Sequence, residues 1–89
     1  MKVKIELFGA SRDFSDKNSL DFEVDNNSTI KDIRNEIIDY LDKKFNGNEN
    51  YKKIVNSSAF CSADNNIISD NYKITKNEKI AIIPPIGGG

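Results

Sequence analysis

From Lys2 to Leu7 charged and apolar residues alternate, with Val3, Ile5 and Leu7 on one face and Lys2, Lys4 and Glu6 on the other. That period of two predicts a half-buried strand. Gly9 to Asn18 is mostly polar, and Leu20, Phe22 and Val24 then alternate with Asp21 and Glu23, which predicts a second strand pairing back on the first. Phe14, inside the connecting loop, reads as a plug for the end of the core rather than a partner contact, because a loop aromatic beside a small core usually finds somewhere to bury. Asp25-Asn26-Asn27-Ser28 forms a turn cluster, and Thr29 with Asp32 three residues on gives a loose capping box. Behind it Ile30, Ile33, Ile37, Leu41 and Phe45 recur at spacings of three and four and predict one amphipathic helix, closed by Asn46-Gly47. Asn48 to Asn56 is polar apart from Tyr51, Ile54 and Val55, and fits either a loop or a short helical turn. Ser57 to Ser62 reads as a short strand centred on Ala59 and Phe60, Asp64-Asn65-Asn66 as a turn into Ile67-Ile68, and Tyr72 with Ile74 as a brief extended segment. After a turn at Lys76–Lys79, Ile80-Ala81-Ile82-Ile83 makes the last strand, ended by Pro84-Pro85 because proline has no N–H for a ladder.

Two strands, a helix and further strands, finishing on one apolar on both faces, predict an α+β domain of the β-grasp type. Its mixed sheet has about four to five strands packed on one main helix. A doubly apolar strand belongs in the middle of a sheet, so the last strand is expected beside the first and parallel to it, through a right-handed crossover. With Ile80 and Ile82 toward the helix, Ala81 and Ile83 face the open side, where Phe60 or Phe8 can join them in an apolar patch for a partner. Loops folding over these residues and burying them is the alternative. The partner patch is assigned to Phe60 and Ile83. Residues 1–83 are expected to form the domain, and 84–89 a flexible C-terminal tail.

At 89 residues, 37% hydrophobic and 30% charged, the chain holds one small domain. Thirteen Lys plus Arg against fourteen Asp plus Glu are spread along the sequence without a basic run, which argues against a nucleic-acid partner. The absence of His and the single Cys exclude a His-based triad, a His/Cys metal site, a disulfide framework and a CxxC redox pair. No apolar stretch is long enough for a membrane span and the charged start is unlike a signal peptide, so a cytoplasmic protein with no membrane partner is expected. Cys61, beside Phe60 in a short strand, reads as a small core residue rather than a sulfur site.

The candidate chemistry lies at the end. Two prolines make a stiff stem, Ile86 can anchor it, and Gly87, Gly88 and Gly89 finish it. Six residues at about 3.3 Å each reach on the order of 20 Å. Residues without Cβ can thread a channel closed to any side chain, and a terminal carboxylate, with a pKa of about 3.3–3.7, is ionised at neutral pH. Delivered on a thin tether, it suits acyl activation by attack on the α-phosphorus of ATP held by a partner. No paired acid/base set or pocket motif marks an independent enzyme, and no catalytic residue is assigned.

The stretch Lys79 to Gly89 resembles the carboxyl end of the molybdopterin synthase small subunit family. Members of that family end in an apolar strand, Pro-Pro, an aliphatic residue and Gly-Gly. Val3-Lys4-Ile5-Glu6-Leu7-Phe8-Gly9 with Arg12-Asp13-Phe14 resembles the family's first strand and loop, and Ser28-Thr29-Ile30 with Ile33 and Leu41 its helix. Gly87 departs from the usual Ser, Thr or Ala, and Asn46 to Asn56 matches nothing firmly. The resemblance implies a ubiquitin-like, non-catalytic sulfur-carrier subunit of molybdenum cofactor biosynthesis. It further implies that Gly89 is adenylated by a ubiquitin-activating-type enzyme using ATP, converted by a sulfur donor protein to a thiocarboxylate, and inserted into the synthase large subunit within a heterotetramer. The sulfur then passes to cyclic pyranopterin monophosphate. Gly87 and Gly88 would line the threading tail, Pro84, Pro85 and Ile86 would direct it, and no cofactor or metal would be held permanently. The alternatives are the thiamine-pathway sulfur carrier, which typically lacks the Pro-Pro stem, a ubiquitin-like modifier joined to target lysines, and a plain binding module.

Overall fold

The computed structural model describes residues 1–85. Strand β1 (Lys2–Leu7) leads through a 3-10 turn (Gly9–Phe14) to β2 (Ser19–Glu23). A two-residue strand, β3 (Ser28–Thr29), precedes helices α1 (Ile30–Phe45) and α2 (Glu49–Ser57). Then follow β4 (Ala59–Ser62), β5 (Ile67–Ile68), β6 (Lys73–Ile74) and β7 (Glu78–Ile83). The main sheet runs β2-β1-β7-β4-β5, and β3 pairs with β6 apart from it. As the doubly apolar sequence requires, β7 is central: it runs parallel to β1, with Ile5 opposite Ile80, and antiparallel to β4, with Phe60 opposite Ile82. This is the mixed, helix-backed sheet of a ubiquitin-like β-grasp.

Helix α1 is specified at both ends. The Thr29 hydroxyl accepts from Asp32 N–H at 3.2 Å while Thr29 N–H donates to the Asp32 carboxylate at 3.0 Å, so aspartate completes the capping box here. The next two N–H groups, of Ile30 and Lys31, donate to the carbonyls of Tyr72 and Asp70, which ties the helix start to the loop before β6. At the far end Asn46 is left-handed at φ 55° and Gly47 follows at φ 75°. The segment readable as loop or helix is helix α2. Asn48 caps it by accepting from Tyr51 N–H, and Tyr51 stacks edge-on against Phe45 and tilted against Phe14. Those aromatic contacts supply the tertiary hold that a nine-residue polar helix lacks alone.

Ile30, Ile33, Ile37 and Leu41 from α1 meet Val3, Ile5, Leu7, Ile80 and Ile82 from the sheet, all buried. Phe14 closes the end of this core and is fully buried, so the loop aromatic is a plug as expected.

The parity of β7 is as expected, with Ile80 and Ile82 fully buried and Ala81 and Ile83 half-buried on the other side. The placement of Phe60 is not. It pairs with Ile82 and is 1% exposed, so it belongs to the helix-facing core and is no part of an open-face patch. Pairing decides this, because residues directly opposite on adjacent strands share a face. The same rule moves Cys61, opposite Ala81, out of the core and onto the open face, where it is half-buried.

Candidate functional site

The open face beside the end of β7 is built from alternate residues. Register places Ala59 opposite Ile83, Cys61 opposite Ala81, and Ile67 opposite Cys61. Continuing the β1–β7 register by one residue brings Phe8 level with Ile83. Ala59 and Ile67 are exposed, and Phe8 retains 41% of its surface, so the described loops leave this face open. Ile83 therefore sits on the open face as expected, with Phe8, Ala59, Ala81, Cys61 and Ile67 around it in place of Phe60. Period-two alternation through Phe60-Cys61 carries the signal for that exchange, once the pairing partner of Phe60 is known.

The opposite end of the same face is polar. A groove there is lined by Lys2, Lys4, Asp21, Glu23, Asn77 and Lys79, at the start of β1 and β7 and therefore remote from Pro84. It holds alternating charges and no convergent nucleophile and base. Among the described residues no group of three or more His, Cys, Asp or Glu could hold a metal ion, and no helix is long and apolar enough to cross a membrane.

Of the tail residues, Pro84 is buried and Pro85 exposed. The Pro84 ring lies against the turn at Gly9: a Cβ built on Gly9 would stand 3.9 Å from its Cγ and Cδ. Ile86, Gly87, Gly88 and Gly89 lie outside the described residues. The chemistry this arrangement offers is thus that of a presenting device. A rigid central strand ends beside an exposed apolar patch, and the chain continues from there as Pro85-Ile86-Gly87-Gly88-Gly89.

The fold has wide structural company. The small archaeal modifier SAMP1 of Haloferax volcanii superimposes with a TM-score of 0.70 at 14% identity, over 100% of both chains. A Pyrococcus furiosus protein assigned as molybdopterin converting factor subunit 1 gives 0.70 at 16% identity, over 96% of this chain and 98% of that one. The Helicobacter pylori complex of molybdopterin-converting factor subunits 1 and 2 contains a chain matching with a TM-score of 0.54 at 17% identity, over 100% of each. No curated protein matches. At these identities the superpositions establish the fold, and the sequence model of one family goes further by matching residues 5–89, from β1 through the last glycine. The chain belongs to the ThiS family, the ubiquitin-like β-grasp sulfur carriers.

Proposed function

We propose that this chain is the sulfur-carrier subunit of a molybdopterin synthase. The observation that carries the reading is the Pro84-Pro85-Ile86-Gly87-Gly88-Gly89 sequence leaving directly from a central buried strand, within a family match that extends to Gly89. The structure of subunits 1 and 2 of the Helicobacter pylori molybdopterin-converting factor supports a large-subunit partner for a chain of this fold.

In this reading a ubiquitin-activating-type enzyme binds ATP and the tail. The Gly89 carboxylate oxygen attacks the α-phosphorus, pyrophosphate leaves, and an acyl-adenylate forms. A sulfide nucleophile delivered by a donor protein attacks the acyl carbon; the C–S bond forms, the C–O bond to AMP breaks, and the thiocarboxylate results. In the large subunit that sulfur passes to cyclic pyranopterin monophosphate, and water restores the carboxylate. Gly87 and Gly88 pass where a Cβ would not fit, and Ile86 with the two prolines directs the tail. The carrier itself contributes no acid, base, metal or resident cofactor; ATP belongs to the activating partner.

The likeness to SAMP1 favours a second reading, a modifier whose Gly89 carboxylate ends in an isopeptide bond to lysine. Purified thiocarboxylate carrier, mixed with a molybdopterin synthase large subunit and cyclic pyranopterin monophosphate, should yield molybdopterin with two carriers consumed per product. Covalent conjugates in cell extract with no molybdopterin formed would favour the modifier. Efficient thiazole synthesis with no stable large-subunit complex would favour the thiamine pathway.

A further inference from the structure

Lys4 and Lys79 stand directly opposite each other on the parallel strands β1 and β7, both exposed on the open face. Like charges so placed repel and cost the free domain stability. The ion pairs among the described residues join Arg34 to Asp70, Lys43 to Asp39, and Lys52 to Asp42 and Glu49, and so leave both ammoniums out. On the β2 side Asp21 stands opposite Lys4 and Glu23 opposite Lys2, while Glu6 lies further along β1, opposite Ala81. Lys79 has no carboxylate directly across from it on either side. One neighbour is Lys4, and on the other side β4 ends at Ser62, opposite Ile80, with Ala63 next in the chain.

The lysine pair adjoins the apolar patch. Ala81, at the inner edge of the patch, is two residues from Lys79, about 7 Å along β7. A partner centred on the patch with a standard footprint of about 800 Å², a disc of roughly 16 Å radius, therefore covers Lys4 and Lys79 too. Ammonium groups shut off from water need a counter-charge.

We propose that Lys79 and Lys4 extend the open-face docking surface and take a carboxylate side chain of the adenylating enzyme between their two ammoniums. The proposal rests on the reading of Gly89 as a carboxylate activated by such an enzyme. That step is common to the sulfur-carrier and modifier readings, which is why this enzyme, and not the large subunit, is the named occupant. A carboxylate between the two cations turns a repulsion in the free chain into an attraction in the complex. Apolar contact is non-directional, so the patch alone does not fix how the sheet is turned on its partner. A cation pair at one end of the face, carried on two central strands, does fix it.

The test follows ATP–pyrophosphate exchange by the adenylating enzyme of the same source at varied carrier concentration, for the full chain and for Lys79→Glu, Lys79→Arg and Lys31→Glu. Lys31 is exposed at the start of α1, on the other side of the sheet, so its reversal changes net charge equally without touching the open face. Lys79→Glu should raise the KM for carrier about tenfold or more with kcat within about twofold, while the other two variants keep both within about twofold. Added salt should raise the KM of the full chain more than that of Lys79→Glu. In the free chain Lys79→Glu sets opposite charges across β1 and β7 and should raise the thermal midpoint by about 2–4 °C. Weaker docking by a more stable protein is a result that damage to the fold does not produce. An unchanged KM for Lys79→Glu, an equal rise for Lys31→Glu, or a lowered midpoint would overturn the proposal. So would an indifferent adenylating enzyme together with weaker binding of Lys79→Glu to the large subunit, which would assign the lysine pair to that partner. If the unaltered chain is not adenylated at all, the reading of Gly89 falls and takes the proposal with it, whereas an adenylated chain indifferent to Lys79→Glu sinks the docking proposal only.

Discussion

The guanidinium carbon of Arg34 lies 4.8 Å from the centroid of the Phe60 ring. From the same position Nη1 donates to the carbonyls of Val55 and Ser58, and Nη2 donates to Asp70 at 2.9 Å. One side chain of α1 thus satisfies carbonyls at the end of α2, covers a core aromatic of β4 and reaches the loop before β6. The Val55 carbonyl also accepts from the Ser58 N–H, and hydrogen bonds from a charged group contribute about 1.5–3 kcal/mol, so Arg34→Ala should lower the unfolding free energy in urea by about that amount. Asp70 is half-exposed, and Asp70→Ala should cost at most about 1 kcal/mol. Equal losses from the two variants would contradict this division.

Phe60 and Ile83 lie on opposite faces of neighbouring strands, and their substitutions should separate stability from binding. Phe60→Ala removes a fully buried ring and should destabilise the fold by about 3–5 kcal/mol. Ile83→Asp should weaken association with the adenylating enzyme or the large subunit by more than about 2 kcal/mol, read by calorimetry, while the protein remains folded. An unfolded Ile83→Asp protein would mean that this side chain supports the core.

Strand parity made much of this legible beforehand. A doubly apolar segment at Ile80–Ile83 sufficed to place β7 in the centre and parallel to β1, and the Thr29 and Asn46 signals bounded α1. The sequence alone puts Phe60 on the wrong face because a four-residue strand has no intrinsic inside: its face is set by whichever partner it meets, here Ile82. Helix α2 is equally undecidable locally, since Tyr51 is held not only by nearby Phe45 but by Phe14, distant in sequence.

Removing Gly88 and Gly89 should leave the thermal midpoint within about a degree or two, because a glycine tail buries little apolar surface. The shortened protein should accept no sulfur. A truncated chain that still formed a thiocarboxylate would refute Gly89 as the carrier atom's site.

Gly88→Val should block adenylation where Gly87→Ser does not. A β-branched side chain adds bulk and restricts the backbone, while Ser is small and matches what the resembled family carries at that position. Adenylate yield and binding to the activating enzyme are measured separately for each. Equal yields would show that the tail is not gripped by its backbone.

Whether Gly89 carries sulfur can be read directly from the last ten residues. Protein purified from its own cells is alkylated with iodoacetamide and cleaved after Lys79, which releases Ile80–Gly89, a peptide with neither Cys nor Met. Exchange of one carboxylate oxygen for sulfur adds about 16 Da, and with no sulfur side chain to oxidise, that gain cannot come from the usual Cys or Met oxidation. The expected peptide carries the sulfur mass and one alkyl group on its terminal carbon's sulfur. A peptide found only as the unalkylated carboxylate, from cells actively making the cofactor, would contradict it.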